Sequence, residues 1–335
     1  MKKISRALVT GCAGFIGSHL TESLLQDGVE VVGVDCFNDN YGRGAKLRNL
    51  ERAGDWDSFD FVPVDLSRGT VPDLVADVDV VFHLAAEPGV RASWGPRFDT
   101  YLRNNLLATQ HLLESCKGWP DTQFVYASSS SVYGQAERMP TSESDLPRPF
   151  SPYGVTKLAA EHLCLSFCDN FGLQSVALRY FSVYGPRQRP DMAFDRFCLA
   201  LLDGAEIEVY GDGLQTRDFT FVADVVRATR LAAESSRAVG NVYNVGGGSQ
   251  IGLREALELL EEISGVEARV QYQPGQDGDV RDTGAETVRA REDLGFDPTT
   301  TLGEGLRLQF EWVAEERQRV GLPARGSARP RAPAT

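Results

Sequence analysis

The sequence predicts an α/β protein, a doubly wound parallel sheet followed by a smaller C-terminal α/β region. Three observations carry this. Strand-like runs alternate with helix-like runs over the first half of the chain. The strand-like runs are apolar almost throughout, as in a sheet covered on both faces. Glycines stand at every third position, Gly11, Gly14 and Gly17, where the first strand turns into the first helix.

The elements follow in order. "ISRALVT" reads as the first strand and "AGFIGSHLTESLLQDG" as a helix. "VEVVGVD" is a second strand ending in Asp35; "FDFVPVD" and "VDVVFHLAA" are two more, joined by a short segment. "NNLLATQHLLESC" is helical, and "QFVYASSSSVYG" is a strand that runs out into hydroxyl residues. "SPYGVTKLAAEHLCLSFCDNFG" is a long helix and "QSVALRYFSVYGP" another strand. Beyond about Arg187 the rhythm loosens into strand-like "AEIEVYG" and "QTRDFTFV", helical "ADVVRATRLAAESS", "NVYNVGG" and two later helices. The end, 321–335, is rich in Pro, Ala and Arg and reads as a disordered tail.

Composition narrows the function. With 335 residues, 42% hydrophobic and 24% charged, the chain can hold one large domain and a smaller one. A net charge of −13 argues against a nucleic-acid partner, while a local arginine cluster can still hold a small anion. No apolar run approaches the roughly 18 residues that span a bilayer, so no membrane partner is expected. "MKKISRALVT" enters the first strand and is not read as a signal peptide. The cysteines Cys12, Cys36, Cys116, Cys164, Cys168 and Cys198 show no C-x-x-C pairing. Cys164 and Cys168 share a helix face without other clustered ligands, so they are read as core and no metal is expected. These features predict a soluble, reduced, cytoplasmic protein.

Two constellations carry chemistry. A glycine turn after the first strand lets backbone amides approach a pyrophosphate, which then sits at the positive end of the next helix. Asp35 lies eighteen residues after Gly17, at the end of the second strand. There a carboxylate accepts from an adenosine ribose and repels a 2′-phosphate, which favours NAD over NADP. The spacing G-x-x-G-x-x-G is one residue longer than the common fingerprint. In the second constellation, Tyr153 and Lys157 are spaced i, i+4 and share a helix face, and Ser129 sits where the preceding strand ends. A phenol of pKa about 10 is a poor base at neutral pH; a nearby ammonium and a cationic nicotinamide both favour its ionised form.

"TGCAGFIG", "HLAA", "YASSSSVYG" and "YGVTK", in that order, resemble the extended short-chain dehydrogenase/reductases, specifically the NAD-dependent nucleotide-sugar epimerases and dehydratases, over roughly 4–320. The resemblance implies an NAD-binding Rossmann domain over 1–186 and a mainly nucleotide-sugar-binding domain over 187–320, with the chain crossing between the two. It implies a catalytic triad of Ser129, Tyr153 and Lys157, with Ser128 and Ser130 open as neighbours of the serine. It places Asp65 at the adenine, Leu84, Ala85 and Ala86 under the pyrophosphate and nicotinamide ribose, and Asn104 at the start of the following helix. Tyr180, Phe181 and Ser182 resemble the strand end that faces the nicotinamide and sugar. Cofactor contacts are further expected at Gly11, Gly14, Phe15, Ile16, Gly17, Asp35, Asn38, Leu66, Tyr153 and Lys157. In "EVYGDGLQTRDFTFV", Tyr210 is expected near the uracil and Arg217 on the diphosphate, with Asp279 and Arg281 as ribose and phosphate candidates.

The dehydratases of this family carry an Asp-Glu pair where this chain has Ser130 and Ser131, so dehydration is not expected. "YFSVYGPRQRPDMAF" and the Gly-Val-Arg of "PGVRASW" are similar to the UDP-glucuronate 4-epimerases, although Glu87 and Pro88 replace their usual Gln-Ala. Arg91 and Ser130 therefore join the expected substrate contacts. An acid sugar needs a guanidinium to hold its carboxylate, and Arg189 is the expected clamp with Arg187 as the runner-up. The expected reaction interconverts UDP-glucuronate and UDP-galacturonate with tightly bound NAD. UDP-glucose 4-epimerisation, UDP-glucuronate decarboxylation and a non-catalytic NAD-binding regulator stand beside it. The family also implies a homodimer through "NNLLATQHLLESC" and the Tyr153 helix.

Overall fold

The structure is a computed structural model that describes residues 3–38, 40–276 and 278–321, so 322–335 of the expected tail lie outside the described residues. The strands are β1 (Arg6–Thr10), β2 (Glu30–Asp35), β3 (Phe59–Pro63), β4 (Val80–His83), β5 (Gln123–Ser129), β6 (Gln174–Tyr180), β7 (Val183–Tyr184), β8 (Glu206–Tyr210), β9 (Thr216–Asp218), β10 (Thr220–Phe221), β11 (Val242–Val245), β12 (Gln250–Gly252) and β13 (Arg269–Gln273). The helices are α1 (Phe15–Gln26), α2 (Arg43–Glu51), α3 (Pro72–Val75), α4 (Phe98–Tyr101), α5 (Ala108–Cys116), α6 (Pro152–Phe171), α7 (Ala193–Asp203), α8 (Val222–Glu234), α9 (Leu253–Ser264), α10 (Val288–Leu294) and α11 (Leu302–Arg319).

Seven strands form one parallel Rossmann-type sheet in the order β11-β6-β5-β4-β1-β2-β3. Its apolar strands explain the two covered faces. Ala7 and Val9 pack with Leu20 and Leu24 of α1 and Val225 of α8, while Leu8 packs with Leu112 of α5 and Cys164 of α6. Strand order reverses beside β1, which leaves a crevice outside the carboxyl ends of β1 and β4. The smaller pairs β8–β13 and β9–β12 stand apart from the sheet. β11 returns as the sheet's edge strand, so the chain beyond 187 also contributes to the main sheet.

Several elements go beyond the sequence expectation. α2 buries only Lys46, Asn49 and Leu50 and has no apolar stripe to announce it. α7 buries Phe194, Phe197, Cys198 and Leu201 at helical spacing, and β13 and a third late helix also appear. The helix around "NNLLATQHLLESC" begins earlier, at Phe98, and passes through a π turn at Leu102–Leu107. α6 begins where its cap dictates: Ser151 Oγ accepts from Gly154 N–H at 3.1 Å, Pro152 opens the first turn and left-handed Gly172 ends it. The two helices expected to pair copies of the chain carry exposed Leu102, Leu107 and Val155.

Under the active edge of the sheet lies a buried ion pair. Arg179 of β6 donates to both carboxylate oxygens of Glu161 in α6, at 2.6 and 3.1 Å, and Ser128 Oγ donates to the same group at 2.6 Å. Arg179 also donates to Tyr133 Oη, which donates to Asn244 Oδ1, so the pair links α6 to β5, β6 and β11. Glu161→Ala leaves that guanidinium buried without its anion. Urea unfolding should show a loss of about 3–5 kcal/mol, and Glu161→Met with Arg179→Met together should cost less than the sum of the single changes. A loss below about 1 kcal/mol for Glu161→Ala, the range of an exposed pair, would count against this account.

Candidate active site

The cleft at the carboxyl edge starts from the glycine turn. Gly11 has φ +71°, and a Cβ there would lie 2.9 Å from Ala85 N. A Cβ on Gly17 would lie 2.1 Å from Gly11 O, so α1 packs against the turn only because residue 17 has no side chain. Gly14 is the N-cap of α1 with no side-chain cap, and no acidic residue stands in the first turn, so the first amides of the helix are left to a ligand. A buried chain sets the opposite wall. Thr109 Oγ1 donates to Asn105 O and accepts from His83 Nε2, and His83 Nδ1 accepts from Thr10 Oγ1, which takes the Ala85 N–H at 3.1 Å. Burial pushes the His83 imidazole down to about 3, so it is neutral, and the hydrogen bonds assign the Nε2–H tautomer.

Every residue expected to touch the cofactor lines this one cleft. Gly11, Gly14, Phe15, Ile16 and Gly17 form its floor, with Leu84, Ala85 and Ala86 opposite. Asp35, Asn38, Asp65 and Leu66 line one end; Asn104, Tyr153, Lys157 and Tyr180 line the rest. Asp35 accepts from Phe37 N–H at 2.8 Å and pairs with the buried Lys46 ammonium at 3.5 Å. Lys46 also lines the cleft and had no signal in the sequence, because α2 itself had none. Asp65 is held by Ser67 and Arg68, which keep its carboxyl below the usual range despite some burial. Asn104 lies in the π turn, a helix irregularity that recurs at functional sites. These residues fit a dinucleotide: the turn and the α1 amides can take a pyrophosphate and Asp35 a ribose.

Tyr153, Lys157 and Ser129 come together at the other end. Burial raises the Tyr153 phenol, while the Ser129 hydroxyl and the Arg189 charge favour its ionised form. Burial pushes Lys157 down to about 7, and its ammonium lies 4.5 Å from the centroid of the Tyr126 ring. The Lys157 ammonium makes no hydrogen bond to the Tyr153 phenol among the described residues and lies over the Tyr126 ring instead. Ser128 lines the cleft and donates to Glu161, the Ser129 hydroxyl acts on the Tyr153 phenol and accepts from Ser131 N–H, and Ser130 opens the next turn. Tyr101, which had no sequence signal, packs edge-on to Tyr153 at 6.3 Å and donates to Pro88 O and Gly89 O.

The expected substrate contacts divide. Arg189 lines the cleft, with Nε and Nη2 donating to Asp191 at 3.0 and 2.9 Å. Arg187 does not line it: φ is +65° and its guanidinium is paired with Glu22 of α1 at 2.6 Å. Ser182 has φ +26°, and its carbonyl accepts from Thr220 N–H, which places it between Phe181 and β7 outside the cleft lining. Arg91, Tyr210, Arg217, Asp279 and Arg281 form a second cluster. Arg91 lies 4.2 Å over the Tyr210 ring and pairs with Asp279 at 2.6 Å. Arg217 donates to Thr216 O, Val280 O and Arg281 O and forms no salt bridge among the described residues, while Arg281 pairs with Asp212. This cluster bridges the loop after β4 to the smaller region without lining the cleft.

Comparisons with known proteins agree with this geometry. A family model described as the NAD dependent epimerase/dehydratase family matches residues 7–246. An uncharacterized UDP-glucose epimerase, YtcB, of Bacillus subtilis is 40% identical over 310 residues, 92% of this chain and 98% of that protein. A UDP-glucuronate 4-epimerase of Thermodesulfobacterium geofontis is 36% identical over 315 residues, 92% of this chain and 96% of that protein. The crystal structure of UDP-glucuronic acid 4-epimerase from Bacillus cereus, with UDP-glucuronic acid and NAD, is similar with a TM-score of 0.90 and 42% identity, over 93% of this chain and 99% of that one. A glycine turn against Ala85, an acid at the end of β2 and Tyr153 one helical turn from the buried Lys157 thus stand in a chain that matches an NAD-dependent enzyme family over most of its sheet: it belongs to the NAD dependent epimerase/dehydratase family, and NAD is its cofactor.

Proposed function

We propose that the chain is a UDP-glucuronate 4-epimerase that interconverts UDP-glucuronate and UDP-galacturonate, working as a cytoplasmic homodimer. The observation that carries this reading is Arg189, a guanidinium in the wall of the cleft that holds Tyr153 and close enough to bias its ionisation. The free cysteines and the exposed Leu102, Leu107 and Val155 support the compartment and the assembly.

NAD supplies a reversible hydride acceptor for the sugar C4, with no net redox change over the cycle. The chain's own groups manage protons and geometry. Tyr153 takes the proton of the C4 hydroxyl and returns it, and Ser129 orients that hydroxyl. Burial favours the neutral Tyr153 phenol against the Ser129 hydroxyl and the Arg189 charge, and a cation bound beside it would favour the phenolate further. A 4-keto uronate is a β-keto acid, and it keeps its carboxylate only while the breaking C–C bond stays out of line with the carbonyl π system. Arg189 spends its Nε–Nη2 edge on Asp191, and its Nη1–Nη2 edge, without a hydrogen bond among the described residues, could fix a second carboxylate plane. A second reading, UDP-glucose 4-epimerisation, has YtcB in its favour. Proton NMR of the purified protein with UDP-glucuronate or UDP-glucose separates epimer, pentose and no reaction. Preference for UDP-glucose would move the assignment to the second reading.

Three variants test the parts. Tyr153→Phe removes only the proton acceptor, so the protein should keep NAD and lose at least about a hundredfold in turnover. Retention of more than about a tenth of the parent rate would remove Tyr153 from that role. Asp35→Ala takes away the acid and leaves the Lys46 ammonium in the same wall. Calorimetry should show weaker NAD binding and a narrower gap between NAD and NADP, and equal affinities in the parent would defeat the ribose placement. Arg189→Ala should raise KM for UDP-glucuronate about tenfold or more, with less than about a threefold change for UDP-glucose, and should leak a pentose product visible by NMR. Arg189→Lys keeps the charge and loses the fork, so it should bind in part and leak as well. Unchanged handling of UDP-glucuronate by Arg189→Ala would place the carboxylate elsewhere, with Arg91 next to test.

A further inference from the structure

Glu87 follows the cleft-lining Ala86, yet its own side chain is 3% exposed and stands behind the wall. A carboxylate so buried requires donors, and three parts of the chain supply them. Asn38 Nδ2, in the loop after β2, donates to Oε2 at 2.9 Å. Arg97, just before α4, donates to Oε1 at 3.0 Å, and Asn104 in the π turn also favours the anion. Burial still holds the carboxyl above its usual range, so the anion depends on these donors.

The Asn38 amide has one orientation that satisfies its neighbours. Its Oδ1 takes the Lys46 ammonium at 2.5 Å, so its Nδ2 must face an acceptor, and Glu87 is that acceptor. Lys46 reaches on to Asp35. A line of polar contacts therefore runs from the acid at the end of β2, through two cleft-lining side chains, to an anion fixed behind the opposite loop. The segment it anchors begins with backbone strain, φ +50° at Phe37. The Glu87 backbone is held separately: its N–H donates to Asn105 Oδ1 at 2.6 Å, and its carbonyl accepts from Asn105 Nδ2 at 3.1 Å.

We propose that Glu87 is a positioning residue for the cofactor: through Asn38 and Lys46 it holds the adenosine side of the cleft closed and so sets how long NAD stays bound. Glu87 itself touches neither NAD nor the reacting sugar. The proposal rests on the placement of the adenosine ribose at Asp35. Slow release suits a reaction whose reduced cofactor must return its hydride before it leaves. Charge matters as well as shape, because an amide at position 87 turns an N–H₂ toward either Asn38 Nδ2 or Arg97.

The test is release of radiolabelled NAD from the full chain, chased with unlabelled NAD. Glu87→Gln should release NAD about tenfold faster, the expected effect of losing a hydrogen bond to a buried charge, while kcat at saturating NAD stays within about twofold. Asn38→Ala should accelerate release as well, and the double variant should be no faster than the faster single, because both cut one line. A release rate for Glu87→Gln within about twofold of the parent overturns the proposal, as does a double variant whose acceleration is the product of the singles. If Glu87→Gln folds poorly, Asn38→Ala decides alone, and parent-like release from it overturns the proposal. Asp35→Ala separates the two layers. Unchanged release there defeats the ribose placement and the proposal with it. Faster release there, with Glu87→Gln unchanged, defeats the proposal alone.

Discussion

The site depends on how closely the Gly11 turn passes Ala85 on one side and Gly17 on the other. The Gly11 carbonyl fills the place of a Cβ at Gly17, and the Ala85 backbone nearly fills the place of one at Gly11. These contacts pin the start of α1 to the end of β1 and the end of β1 to the loop after β4. Every other feature of the cleft is measured from there. The α1 amides point into it, the Thr10–His83–Thr109 chain sets the height of its opposite wall, and Asp35 closes one end. The constraint is steric and local, so it is written in the sequence as glycine spacing.

Burial rather than charge pairing dominates the electrostatics of the chemical end. Tyr153 is pushed toward its neutral form, and Lys157 falls to about 7 although Glu161 favours its charged form. Glu161 cannot act as a free counter-ion there, because both its oxygens are taken by Arg179 and Ser128. Burial thus biases both groups toward their neutral forms, and a cation held beside Tyr153 would favour its phenolate.

What the sequence made legible follows the range of each interaction. Gly11 and Gly17 in one turn, Asp35 at the end of the next strand, and Tyr153 with Lys157 one helical turn apart are read from short local spacings that survive without the fold. The serine run shows the limit: Ser128 and Ser129 look alike in sequence, and only the position of Glu161 across the sheet separates them. Arg187 and Arg189 differ in the same way, since a positive φ at Arg187 turns its side chain to Glu22 and leaves Arg189 facing the cleft. Lys46 and Glu87 were illegible because their meaning lies in partners far along the chain, and α2 offers no apolar period to mark Lys46 as inward.

A chain with net charge −13 can still serve an anionic ligand because its cations are arranged locally. Around the cleft and the second cluster, arginines are either tethered by one edge, as Arg189 is to Asp191, or turned onto neutral carbonyls, as Arg217 is. A tethered guanidinium loses little rotamer freedom on meeting a second anion, and a carbonyl-bound one has no anion already neutralising it. Arg91 is tethered as well, paired with Asp279 across to the smaller region while its guanidinium stacks on Tyr210. Global negative charge then sets solubility and long-range repulsion, screened beyond about 10 Å at ordinary ionic strength, while these fixed cations set what is held once inside. An anion that enters the cleft therefore meets a few arginines whose partners hold them in place, whatever the protein's overall field.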